Sequence, residues 1–301
     1  MLLILLVTLT PFTADKVEIF TEGNDRIVHL IGNVVIEGSE TMITCAEAKF
    51  SETNGWVKLF RDVKLRDRNG EVYAHSAIYY FNEDRGYLSD SVRIITSDER
   101  ISSDSLYYDG AHDSVEMYGS VLIEDRKNNM SLTGERGWYN LTRDEGLLYG
   151  SPELQIARQD KVPMTVDARS FRLFTRENLF YGFDSVRAII DSVVVLCDTL
   201  SYNLETELGD MVRPVIQEKN NELRGARGQF RLRNKEIESV SVENGHSLYY
   251  TKEDSKNIIE GKKISIIFQE GKAAIINVEG EPKGVLSLKR SQESAGDQGF
   301  D

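Results

Sequence analysis

The sequence predicts an all-β protein built from about sixteen stacked strands, and three observations carry that expectation. A segment of the form apolar, any, small, any, any, apolar, any, aromatic or aliphatic recurs eight times. A second segment of alternating apolar side chains falls between its copies, and short polar stretches rich in Gly, Asn, Asp and Ser separate the two. No stretch sustains an apolar period of 3.6 residues, so helix has no support.

The first segment runs Ile43, Cys45, Ala48, Phe50, then Val72, Ala74, Ala77, Tyr79, then Ile101, Ser103, Leu106, Tyr108. It continues as Leu132, Gly134, Gly137, Tyr139, as Val166, Ala168, Phe171, Leu173, and as Val195, Cys197, Leu200, Tyr202. The last two copies are Leu223, Gly225, Gly228, Phe230 and Ile259, Gly261, Ile264, Ile266, and first positions are spaced 29, 29, 31, 34, 29, 28 and 36. The second segment is anchored on Val34, Val63, Val92 and Val121 at intervals of 29, with Pro152, Val186 and Val215 in the later copies. Alternation around each anchor, as in Leu30, Val34 and Ile36, marks a strand with one buried face. The stretches EGSET, SETNG, RDRNG, FNEDRG and TSDER between segments have turn chemistry. One repeat cannot bury its own apolar face, and stacking the copies builds a continuous core.

At the start of the chain, MLLILLVTLTPFTA carries no charge and one apolar block too short to span a bilayer. Residues 1–14 are expected to be a cleavable secretory leader with Ala14 before the cut, which places the protein outside the cytoplasm. The repeats then occupy 15–237, a continuation of them 238–290, and a frayed tail 291–301.

The 301 residues include 49 acidic and 36 basic side chains, for a net charge of −13. A nucleic-acid partner needs a basic face and is excluded as a class. Both cysteines fall in the small slot of the repeat, five copies apart, hence at least ~24 Å apart at one strand spacing per copy. A disulfide needs Cα atoms within ~7 Å, so no bridge between Cys45 and Cys197 is expected. His29, His75, His112 and His246 share no ligand spacing, and neither a nucleophile elbow, a phosphate loop nor a calcium loop is present. The residues before the anchors, Asn33, Asp62, Ser91, Ser120, Ser151 and Ser185, suit a turn or bulge better than catalysis. No catalytic residue, metal or cofactor is expected.

What remains is the apolar column, represented by Val34, Ile43, Val63, Val72, Val92, Ile101, Val121, Leu132, Val166, Val186 and Val195. Its many small residues suit either two sheets in close approach, as in a structural scaffold with a dry core, or an apolar trough open to a ligand made of chains. A carbohydrate-active stacked-strand enzyme is the third reading and would need several acids on one patch.

The series GNVVI, ITCAEAKF, VKLFRDVKL and VYAHSAIYY resembles the OstA/LptA family, the organic-solvent-tolerance-like domain of the periplasmic lipopolysaccharide-transport bridge. The resemblance is strongest over 16–110 and continues more weakly to about 235. From Glu238 to Leu288, VSVENGHSLYY, NIIEGKKISIIF and AAIINVEGEPKGVL resemble the C-terminal part of larger OstA-like proteins. It implies a periplasmic, antiparallel β-jellyroll or "β-taco" whose apolar groove receives the acyl chains of lipopolysaccharide or a similar multi-acyl lipid. It also implies partners among related β-jellyroll domains of inner- and outer-membrane transport proteins, and head-to-tail self-association. This chain is longer than the short bridge proteins of that family and carries insertions in its fifth and sixth copies.

Overall fold

The computed structural model describes residues 11–38, 40–250, 256–269 and 272–286. They form twenty-four β-strands and one 3-10 turn at Gly110–His112. The chain divides into two compact units, Met1–Asp191 with Ser201–Thr206, and Ser192–Leu200 with Glu207–Asp301.

The first unit begins with β1 (Phe12–Thr13), β2 (Lys16–Glu22), β3 (Asp25–Glu37), β4 (Met42–Ser51), β5 (Trp56–Arg66) and β6 (Glu71–Tyr80). It continues through β7 (Arg85–Ile95), β8 (Glu99–Asp109), β9 (Ser114–Asp125) and β10 (Met130–Asn140). It ends with β11 (Glu145–Tyr149), β12 (Glu153–Arg158), β13 (Lys161–Asp167), β14 (Ser170–Phe174) and β15 (Leu179–Ile190). From β2 to β10 each strand pairs antiparallel with the next, the meander that short turns dictate.

Every second element of this meander is bent at its centre. The six residues before the anchors, Asn33, Asp62, Ser91, Ser120, Ser151 and Ser185, all have φ between 45° and 63°. The residue before each is left-handed too, either Gly (Gly32, Gly119, Gly150) or Arg61, Asp90 and Asp184. Short polar residues tolerate this region and glycine enters it without strain, which explains the composition of the column. Ladder register shifts at these pairs, for instance between Ile31 and Val34 and between Phe60 and Val63. Two consecutive left-handed residues redirect a strand, so its two halves turn their apolar sides toward one interior. Leu59 and Leu65, on either side of the Arg61–Asp62 bend, line the same small space.

The bends also account for the strand number, about sixteen from the sequence and twenty-four among the described residues. β3, β5, β7, β9 and β15 pass the bend unbroken. The chain breaks where the bend leads into Pro152, between β11 and β12, because proline has no N–H for the ladder.

A further strand comes from residues 11–14. Of the expected leader, 1–10 lie outside the described residues, but β1 pairs with β3. β1 and β2 follow β3 in the register that β4 takes on its other side. Phe12 and Ile43 both face Ile36, Val17 and Ala48 both face Leu30, and Ile19 and Phe50 both face Val28. Phe12, Ala14, Val17 and Ile19 thus form a ninth copy of the repeat, which the reading of 1–14 as a leader conceals.

β16 (Val193–Asn203) supplies residues to both units. The second unit adds β17 (Leu208–Val212), β18 (Val215–Glu218), β19 (Asn221–Arg224), β20 (Arg227–Arg233) and β21 (Glu236–Tyr250). β22 (Lys256–Gln269), β23 (Lys272–Glu279) and β24 (Lys283–Val285) follow. Its seventh-copy anchor is buried Pro214 rather than half-buried Val215. Left-handed Arg213 precedes the proline, and pairing of Ile216 with Leu223 sets the register. Val242 and Ile264 are buried in this unit, whereas β23 is exposed along nearly all its length. The expected tail, 291–301, lies outside the described residues.

Candidate functional site

The apolar column runs through the first six copies, from Val34 to Val195. Val34 pairs with Cys45, Val63 with Ala74, Val92 with Ser103 and Val121 with Gly134. At each bend a large anchor thus faces a small residue on the neighbouring strand. The small residue is required because backbone comes close there: the Cys45 thiol donates to the Glu47 carbonyl at 3.2 Å, and the Ser103 hydroxyl to that of Ser105 at 3.0 Å. A Cβ on Gly134 would lie 2.8 Å from Leu148 Cγ and 3.0 Å from the Tyr149 carbonyl oxygen.

Of the eleven column residues, Val34, Ile43, Val63, Val72, Val92, Val121, Leu132, Val166 and Val186 are buried, none more than 3% exposed. Ile101 and Val195 are half-buried. Between the second and third copies the interior is filled: the space among Val57, Leu59, Leu65, Ala77, Leu88 and Tyr108 is about 10 Å³, at the lower limit for one water.

The interior opens at the fifth copy. The last slot of the repeat holds Tyr79, Tyr108 and Tyr139 in copies two to four, the first two buried and the third half-buried. The Tyr79 hydroxyl donates to Asp84 Oδ1 at 2.5 Å and that of Tyr139 to Asp144 Oδ1 at 3.1 Å. Copy five has Leu173 in that slot, next to Gly146 on β11 and Phe180 on β15. Beside it lies a cavity of about 290 Å³ within the first unit. Its apolar wall includes Leu132, Leu154, Leu173 and Phe180, and its polar rim includes Asp98, Glu99, Asp125 and Lys127. Burial, with Asp125 and Asp98 close by, raises the Glu99 carboxyl above the ordinary carboxylate value. Leu132 is the one residue of the expected column on this wall. The others escaped sequence reasoning because the slot tolerates aromatic and aliphatic residues alike, although the lost ring at 173 was visible there.

The residues that might carry other chemistry are not brought together. His29 lies between Glu18 and Glu47, at 3.5 and 2.8 Å, His112 bonds Asp109, and His246 bonds Glu260. No group of three or more His, Cys, Asp or Glu among the described residues can hold a metal ion. Cys45 and Cys197 are free and buried, and burial pushes their thiols up to about 11 and about 12. Among the described residues two charged side chains are buried, Asp125 and Arg158; the Arg158 side chain, at the end of β12, is 2% exposed and bonds Asp191 through two nitrogens, both at 3.0 Å. No helix among the described residues is long and apolar enough to cross a membrane.

Residues 8–155 match the family model of the OstA-like proteins. Among solved structures the chain is similar to LptH of Pseudomonas aeruginosa, the LptA-homologous periplasmic component of the conserved lipopolysaccharide transport device. The two share 13% identity over 38% of this chain and 82% of that one, with a TM-score of 0.35. No curated protein matches the chain.

Proposed function

We propose that this chain, whose residues 8–155 match the model of the OstA-like proteins, is a non-enzymatic lipid carrier of the lipopolysaccharide-transport type, working in the periplasm. The single observation that carries this reading is the apolar interior that passes from copy to copy and opens beside Leu173. Each buried methylene contributes ~0.8 kcal/mol, so a twelve-carbon chain left in water costs on the order of 10 kcal/mol. An apolar interior removes that cost without any reaction. The partners of this reading are lipopolysaccharide or a similar multi-acyl lipid, and related β-jellyroll domains of inner- and outer-membrane transport proteins joined end to end. Export in this reading rests on the expected leader at residues 1–14.

The filled interior between the second and third copies favours a second reading, a scaffold with a dry core. One experiment separates the two. A photoreactive residue at position 101 in cells should form an adduct that mass spectrometry identifies as lipid, and one in the turn 82–84 should not. Equal labelling at both positions removes the carrier reading and leaves the scaffold.

A further inference from the structure

We propose that the cavity beside Leu173 binds an aliphatic chain bearing an ammonium head, rather than a phosphorylated one. The inference rests on the carrier reading and adds the head chemistry. The wall formed by Leu132, Leu154, Leu173 and Phe180 accepts only apolar matter. A cavity of about 290 Å³ is roughly twice the ~150 Å³ apolar void that holds benzene, enough for several methylenes.

The rim decides the head. It carries three carboxylates, Asp98, Glu99 and Asp125, against the single ammonium of Lys127. Asp125 is buried, and its two oxygens accept from the Asn128 backbone N–H and side-chain amide at 2.9 and 2.6 Å. Glu99 is half-buried, and that burial, with Asp125 and Asp98 close by, makes its carboxyl hold its proton more tightly. A cation between these groups relieves their repulsion, and a phosphate adds to it. The cavity lies beside Leu173, where copies two to four carry a tyrosine, so this site belongs to the fifth copy and not to the repeat in general.

The test uses the whole protein and three submicellar twelve-carbon probes, dodecylammonium, dodecyl maltoside and dodecyl phosphate, in titration calorimetry at pH 7. Dodecylammonium should bind at least tenfold more tightly than dodecyl phosphate, with the maltoside between. Leu173→Tyr restores the residue of the neighbouring copies and should weaken all three at least tenfold with unchanged circular dichroism. Asp98→Asn with Glu99→Gln should abolish the preference for ammonium and leave the maltoside affinity as it was. Phosphate binding as tight as ammonium overturns the head assignment and leaves the carrier reading standing. Binding that survives Leu173→Tyr places the ligand elsewhere and overturns the site. Absence of binding by all three probes overturns the site as well, while the photoreactive residue at 101 still decides the carrier reading by itself.

Discussion

Val34 on β3 lies directly opposite Cys45 on β4, and the next three copies repeat the relation with Ala74, Ser103 and Gly134 in the place of the cysteine. The thiol there is a small buried volume. Cys45→Ala should leave the urea midpoint nearly unchanged, since Ala74 already fills that slot. Cys45→Phe overpacks the bend and should cost about 1–3 kcal/mol.

The thiols themselves should be inert. Thiolate is the reactive form, and burial holds both groups up at about 11 and about 12. At pH 7 Cys45 and Cys197 should react with a thiol reagent only on unfolding, and the unreduced protein should show the mass of two free thiols. A Cys45–Cys197 link in the native protein contradicts the repeat register.

Strain at the bends gives a sharper test. Ser91 sits at φ 63°, where a β-branched side chain crowds its own carbonyl. Ser91→Val should destabilise by about 1–2 kcal/mol in urea unfolding, and Ser91→Gly should be neutral or mildly stabilising. Equal effects of the two substitutions would mean that the strand does not need its left-handed pair.

The inward guanidinium of Arg158 makes stability depend on acid. Its hydrogen bonds hold the Asp191 carboxyl below the ordinary value of 3.8. A carboxyl lowered in the folded state contributes stability that is present above pH 3.8 and lost as pH falls through the folded value. Asp191 is 52% exposed and screened by solvent, so Asp191→Asn should cost about 1–2 kcal/mol at pH 7, less than a fully buried pair. Urea midpoints of the two proteins should converge as pH falls below 3.8 through the lowered folded value.

The N-terminal strand is open to measurement too. Ile19 is 57% exposed, and β2 pairs with β3 alone among the described residues, which leaves an outer row of backbone groups unpaired. Ile19→Pro should lower the association constant from sedimentation while preserving circular dichroism. A chain starting at Asp15 loses β1 and about 1 kcal/mol, so its Tm should fall by about 2–4 °C relative to one starting at Pro11.

Much of this was legible in the residues. The apolar alternation around Val34, Val63, Val92 and Val121 located the strands, and the short polar residues before each anchor marked the bends. What stayed hidden has physical reasons. Phe12 and Ala14 follow an uncharged apolar block, so composition assigns them to a leader and conceals a ninth copy of the repeat. Pro214 stands where the pattern shows valines, and the neighbouring Val215 matches it better by type though not by register. The pairing of Arg158 with Asp191 joins residues 33 positions apart that no periodicity connects. The cavity lies beside Leu173, where copies two to four carry a tyrosine, and a hydrophobic pattern counts Leu and Tyr alike.

Because each of the first four copies carries its own bend and its own large-to-small contact, their interior is assembled in discrete increments. One copy of about 29 residues adds two strand spacings, close to 10 Å of apolar interior, without altering the contacts on either side. Gain or loss of a copy would change the length of the interior by that step alone, so such a core can be lengthened by tandem duplication rather than by redesign.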